Sequence, residues 1–224
     1  DLGCGNGVNA RIYRHYTDSK IVAVDLSEDM LKLARANSDP LNSRIEYLQG
    51  DCISGIEKVS NELKGEKFDI VSAQFIFNFA PSEEALEKSI MDIKKYLLKE
   101  EGFILGKQPH LYGKLSSPVA FNEIGIGILD LSMNTKKLLY QNNEEVIAYF
   151  WEPGKFSTQG PFYFQFWMKF YDYETHKRIF DKAGFDFRVF PLMASESAKG
   201  KYDEDKILDS YSHTFVCSRK CENL

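Results

Sequence analysis

The chain has 224 residues, 43% hydrophobic and 27% charged, with 28 Lys and Arg against 33 Asp and Glu for a formal net charge of -5. That length supports one hydrophobic core and hence a single domain. An acidic balance without a dense basic stripe argues against a nucleic-acid partner without excluding it, and no apolar run reaches the roughly 18 residues that a membrane helix needs. Cys4, Cys52, Cys217 and Cys221 are too few and too unevenly spaced for a disulfide framework or a zinc site, so no metal is expected. They read as free thiols in a reducing, cytoplasmic setting.

Residues 1–7 read as a strand end running into a glycine loop. The β-branched run Ile21-Val22-Ala23-Val24 is typical of a buried parallel strand and ends at Asp25. Ser27 then caps a helix with Glu28 and Asp29 in its first turn, where acids favour the helix dipole, and with Met30, Leu33 and Ala34 expected on its inward face. A strand follows at Ile45 to Leu48, ending near Gly50-Asp51, and another from Phe68 to Ala73. Pro81 to Glu84 start a helix that presents Leu86, Ile90, Ile93 and Leu97 on one stripe; Gly102 is expected to break it ahead of a strand at Phe103 to Leu105. Strands alternating with helices at this spacing predict βαβ units and a parallel sheet.

Residues 111–172 interrupt that rhythm, with a helix expected around 121–140 and strands at Val146 to Trp151 and Phe162 to Trp167. From 173 regularity returns: a helix over Glu174 to Ala183 stopped by Gly184, strands over Phe185 to Leu192 and Thr214 to Ser218, and a polar helix near 203–211. The predicted fold class is therefore α/β, a Rossmann-like doubly wound and mostly parallel sheet with an antiparallel late strand. One domain, 1–224, divides into a ligand-binding half (1–110), an inserted aromatic-rich substrate region (111–172) and a C-terminal part (173–224).

The chemistry gathers at three successive strand ends. "DLGCGNG" places Gly3, Gly5 and Gly7 directly after Asp1, and glycine permits the positive φ and close approach of a ligand-cradling turn. Asp25 ends the next strand, where a carboxylate can accept both hydroxyls of a ribose, and Asp51 ends the third, within reach of an adenine amino group. Each alone fits a turn or a helix cap; together they indicate a nucleoside-type ligand. The dinucleotide fingerprint is G-x-G-x-x-G, whereas this chain has G-x-G-x-G after an acid that repels a pyrophosphate and suits an amino acid's ammonium. Tyr-x-x-x-Lys occurs at Tyr16, Tyr173 and Tyr202, in three unrelated contexts, and specifies nothing.

"DLGCGNG", "VAVDLSEDMLKLAR", "LQGD" and "FDIVSAQFIFNFA" with "SEEALEKSIMDIKKYLL" resemble the successive motifs of class I S-adenosylmethionine-dependent methyltransferases over residues 1–110, with an echo in "YETHKRIFDKAGFDF". The resemblance implies S-adenosyl-L-methionine as cofactor. It puts Asp1, Gly3 and Gly5 at the methionine end, Asp25 on the ribose, Leu26 and Met30 against the adenine, Asp51 and Cys52 at the adenine edge, and Gln74 and Phe75 beside the methyl. Glu100-Glu101-Gly102 stands where the family has a Pro-Gly-Gly turn. The family's first strand has apolar residues ahead of the acid, so the resemblance also implies a sequence truncated at its N-terminus.

Since a sulfonium already activates its methyl, the site must chiefly align a nucleophile. No catalytic base stands out; His110, following the fifth strand, is the candidate, and His176 is expected at the surface. The region 111–172 is expected to select a small-molecule acceptor through aromatics that include Tyr163 and Trp167, together with Asn78 and Phe79. Two alternatives stay open. "QFIFNFA" is similar to the "QF..HY" stretch of mRNA cap guanine methyltransferases, with Asn78 and Phe79 where that family has its cap-contacting His and Tyr. A non-catalytic methyltransferase-like scaffold subunit is the other.

Overall fold

The computed structural model describes residues 1–37, 40–109, 126–130, 142, 144–150, 164–190 and 212–219. Strand β1 (Ile21–Asp25) pairs in parallel with β2 (Ile45–Gln49), and β3 (Phe68–Gln74) in parallel with β4 (Leu98–Pro109). Leu2 joins the two pairs through parallel bridges to Val24 and Ala73. Beyond β4 lie β9 (Ser212–Arg219) and β8 (Phe185–Phe190), each pairing antiparallel with its neighbour, so the order is β2, β1, Leu2, β3, β4, β9, β8. The sheet is mostly parallel with an antiparallel late strand, a Rossmann-like arrangement. Residues 21–24 are buried throughout, as expected of an inner strand covered on both faces.

The helices begin where local chemistry can satisfy their free N–H groups. Gly7, at φ 78, opens α1 (Val8–Arg14). Ser27 accepts the Met30 amide to cap α2 (Glu28–Arg35), Ser82 accepts that of Ala85 for α4 (Glu83–Asp92), and Asp172 that of Thr175 for α5 (Tyr173–Lys182). Gly184, at φ 79, stops α5. The short α3 (Ile56–Glu62) buries Ile56 and Val59. Leu86, Ile90, Ile93 and Leu97 form the anticipated stripe and join Phe77, Phe180 and Phe185 in the main core. Phe180 stacks on Phe187 and meets Phe77 and Phe185 edge-on. None of the helices among the described residues is long and apolar enough to cross a membrane.

Four expectations are corrected. On α2 the buried residues are Leu31 and Ala34, whereas Met30 and Leu33 are exposed; the Ser27 cap sets the helix register, and at 100° per residue the Leu31–Ala34 pair faces the sheet. Gly102 does not end the preceding helix. The helix closes in a widened last turn at Ile93–Leu97, and β4 starts at once at Leu98. Gly102 instead lies inside β4, where a Cβ would meet Leu98 Cδ1 at 2.8 Å and the Asp69 carbonyl at 2.9 Å. Third, residues 126–130 of the expected helix are a strand, β5 (Ile126–Asp130), which pairs antiparallel with β6 (Glu144–Phe150). Isoleucines at 126 and 128 around Gly127 suit a pleated partner better than a helix. β6 in turn pairs antiparallel with β7 (Phe164–Phe170), making a separate three-stranded sheet of the two aromatic runs.

The fourth correction is His176, which is 1% exposed on α5. Its ring stacks on Phe187, and its Nδ1 donates to the Asp172 carbonyl at 2.9 Å. Nε2 is buried without a partner. Burial drives its pKa down to about 4, so the ring is neutral. The polar helix near 203–211 and the rest of 121–140 lie outside the described residues.

Candidate functional site at the strand ends

The site follows from where the parallel strands stop. Leu2 faces Val24 and Ala73, so one step further along the chain Gly3, Asp25 and Gln74 stand side by side at the carboxyl ends of three strands. Gln49 flanks Asp25 on β2, and Lys107 flanks Gln74 on β4. A polar row thus crosses the sheet at the end where open α/β folds bind ligands.

The glycine loop climbs away from that row. Gly3, Gly5 and Gly7 have φ of 67°, 55° and 78°, each in the left-handed region that side chains avoid. Their surroundings separate them. A Cβ on Gly3 would meet Ile76 Cδ1 at 2.8 Å and one on Gly7 the Tyr47 hydroxyl at 2.5 Å, whereas one on Gly5 would enter open space. Gly3 and Gly7 serve packing; Gly5 presents bare backbone outward. Its N–H donates to Asp25 Oδ2 at 2.7 Å, while Asp25 Oδ1 accepts the Ser27 amide at 2.9 Å. One carboxylate therefore ties the loop to the start of α2, its position fixed by two backbone amides.

The Asp1 carboxylate is buried with neither oxygen hydrogen-bonded, a costly state for an anion awaiting a donor. Asp51 is differently employed. Its Oδ1 accepts the amides of Ile53 and Ser54, and its Oδ2 the Ser54 hydroxyl. Burial alone would raise its pKa, but those donors hold it below the usual carboxylate value. Cys52 is buried with Sγ 3.7 Å from the Val24 carbonyl, and burial pushes its thiol, like that of Cys4, up to about 12. Both are packing residues and inert as nucleophiles.

Leu26 and Met30 are exposed on the outer side of Asp25, available as an apolar platform. Gln74 and Phe75 are half-buried at the end of β3, Gln74 hydrogen-bonding Ser72 and Phe75 held at φ 55. Asn78 is buried and packs its amide on Met168 of β7, so it faces the second sheet, whereas Phe79 is largely exposed. Trp167, next to Met168 on β7, is 58% exposed on the opposite face of that strand. The structure thus brings Gly3, Gly5, Asp25, Gln74 and Phe75 together and turns Asn78 and Trp167 elsewhere. His110 and Tyr163 lie outside the described residues. A cleft of about 370 Å³ lies towards the strand starts, away from this row, and Asp1 lines it together with Tyr13, Lys20, Ile21, Phe68 and Leu97.

Residues 1–102 match the sequence profile of the methyltransferase domain family. The match covers 102 of the 224 residues. Around it the chain is 33% identical over 105 residues to a ribosomal protein L11 methyltransferase of Caldicellulosiruptor saccharolyticus, covering 47% of this chain and 30% of that protein. It is 30% identical over 116 residues to an mRNA cap guanine-N(7) methyltransferase of Eremothecium gossypii, covering 49% of this chain and 27% of that protein. The chain therefore spans less than a third of the length of these relatives. The fold of an S-adenosylmethionine-dependent methyltransferase from Clostridium acetobutylicum superposes with a TM-score of 0.61 at 16% identity, over 98% of this chain and 82% of that one. The chain thus shares the Rossmann-like fold of that enzyme.

Sequence reasoning passed over Lys107 and Tyr13. The hydroxyl of Tyr13, on α1, hydrogen-bonds that of Ser72 at 2.8 Å, closing the face beneath Gln74. Lys107 was legible as the polar residue ending the fifth strand's apolar run, two positions past Leu105.

Proposed function

We propose that this protein is an S-adenosyl-L-methionine-dependent methyltransferase that methylates oxygen or nitrogen of a small-molecule acceptor. The observation that carries it is Gly5: an outward backbone at positive φ with empty space where a side chain would stand, tied to the Asp25 carboxylate. The residues present fit the cofactor. The unpartnered Asp1 carboxylate suits its ammonium, Asp25 its ribose hydroxyls, and exposed Leu26 and Met30 its adenine face. Asp51, with Cys52 buried beside it, would meet the adenine edge, and the half-buried Gln74 and Phe75 would flank the methyl. When bound, the cofactor supplies an already electrophilic methyl. The chain's own residues hold it, exclude water with Phe75, and leave the acceptor to be aligned. Residues 111–172, with Tyr163, and the exposed Phe79 would supply the acceptor region, with His110 as the candidate base; Asn78, packed on Met168, and Trp167, on the far face of that strand, stand apart from it.

A second reading rests on the likeness to the cap guanine methyltransferase. The net charge of -5 weighs against it, because RNA binding draws on cations along the backbone path. A transfer screen with radiolabelled methyl over small phenols, amines, carboxylic acids, capped RNA and ribosomal protein separates the readings. Label in a small acceptor at rates well above the macromolecules supports the proposal; label confined to RNA or protein refutes it.

A further inference from the structure

The polar row ends in a cation that cofactor binding does not use. Lys107 lies opposite Gln74, its carbonyl accepts the Phe75 amide at 2.8 Å, and its ammonium stands over the Phe75 ring, 5.5 Å from the centroid. Phe75 reaches that position only by adopting φ 55, a conformation costly for a bulky residue. The side chain of Lys107 is half-buried, and no carboxylate pairs with it among the described residues. Its strand neighbours in register, Gln74 on β3 and Thr214 on β9, are neutral. Other lysines of the fold are matched: Lys99 pairs with Asp69, and Lys94 donates to the Ala183 carbonyl. Burial without a counter-ion lowers the Lys107 pKa.

Position supplies the rest. Asp25, Gly3, Gln74 and Lys107 occupy four adjacent strands, so at ~4.8 Å per strand Lys107 stands about 14 Å from Asp25. If the ribose is on Asp25, the far end of the row is where the acceptor must lie. A second cation beside a sulfonium is unfavourable unless the acceptor brings the anion that balances both. We propose that Lys107 is the specificity residue of the acceptor site, gripping a carboxylate or comparable anionic group carried by the small molecule to be methylated. Its placement relative to the acceptor rests on the cofactor reading above; its charge over Phe75, unpaired among the described residues, does not.

The test compares benzoate with its neutral isostere benzamide, each titrated into the complete protein with and without S-adenosylhomocysteine and followed by NMR shifts. Wild type is expected to prefer benzoate about tenfold, Lys107→Met to lose the preference, and Lys107→Arg, which keeps the charge, to retain it. Equal binding of the two probes by wild type, or a benzoate preference that survives both Lys107→Met and Lys107→Gln, overturns the proposal. So does a variant that binds both probes as wild type does yet shifts the pH profile of methyl transfer, which would make Lys107 a base. Should S-adenosylhomocysteine fail to bind while the benzoate preference stands and depends on Lys107, the cofactor reading falls and the anion site survives.

Discussion

At the scale of single residues, the three loop glycines have different reasons to be glycine, and substitution separates them. Gly5→Ala places its methyl in open space, so the fold loses only the cost of an alanine at positive φ, about 1 kcal/mol. The same methyl occupies the surface offered to a ligand, and affinity for S-adenosylhomocysteine is expected to drop at least about tenfold, or 1.4 kcal/mol. Gly7→Ala drives a methyl into the Tyr47 hydroxyl and Arg11, so its signature is a lowered Tm. Thermal melts beside calorimetric titrations check both; a Gly5→Ala protein with undiminished affinity would remove the loop from the site. Asp25→Asn tests the neighbouring contact. An amide retains an acceptor oxygen but loses the charge and one acceptor, so affinity should fall while the fold stays near wild type; unchanged affinity would mean that Asp25 only ties the loop to α2.

At the scale of elements, α5 has a built-in pH dependence through His176. Its folded pKa of about 4 lies below the ordinary 6.5, so the neutral ring is the folded form. Its contribution is complete above 6.5. Between 6.5 and about 4 the unfolded chain binds a proton that the folded chain refuses, and stability falls with pH through that window by about 3 kcal/mol. Urea titrations at neutral pH and near its lower edge measure this, with His176→Phe, which keeps the stack on Phe187, as the flattened control. Equal pH slopes in both proteins would contradict the assignment. The same helix shows what sequence could and could not tell. Its length and its glycine stop were legible because they depend on neighbours in sequence. His176 was misplaced because its burial depends on Phe187 and Tyr171, which reach it through the fold. The α2 face failed more narrowly: several apolar residues fitted an inward stripe, and only the register set by Ser27 chose Leu31 over Met30. A core position shared between α4 and α5 behaves as its packing demands. Phe180→Ala, fully buried among Phe77, Phe185 and Phe187, is expected to cost about 3–5 kcal/mol by chemical denaturation; a cost under about 1 kcal/mol would mean that the aromatic cluster is not the keystone of this half.

For the molecule as a whole, the alternation of strands and helices over residues 1–109 was readable because each strand is short, apolar and bounded by turn residues, and that alternation sufficed to put Asp25 and Asp51 at neighbouring strand ends. The second sheet was less so, because the aromatic runs at 144–150 and 164–170 announce strands without saying what they face. Only the fold reveals that Asn78 meets Met168 while Trp167 turns away, and only the β3–β4 register brings Lys107 to the end of the row. A cation at that end, in a molecule of net charge -5, favours a small anionic acceptor over a polyanion that would have to approach an acidic surface. The central claim, that the glycine loop and Asp25 hold S-adenosyl-L-methionine, is tested most directly by isothermal titration of S-adenosylhomocysteine into the complete protein and its Asp25→Ala variant. Saturable one-site binding to the wild type, abolished in the variant while its melt stays cooperative, is the predicted result. An absence of binding to the folded wild type, or equal affinity in the two proteins, would contradict it.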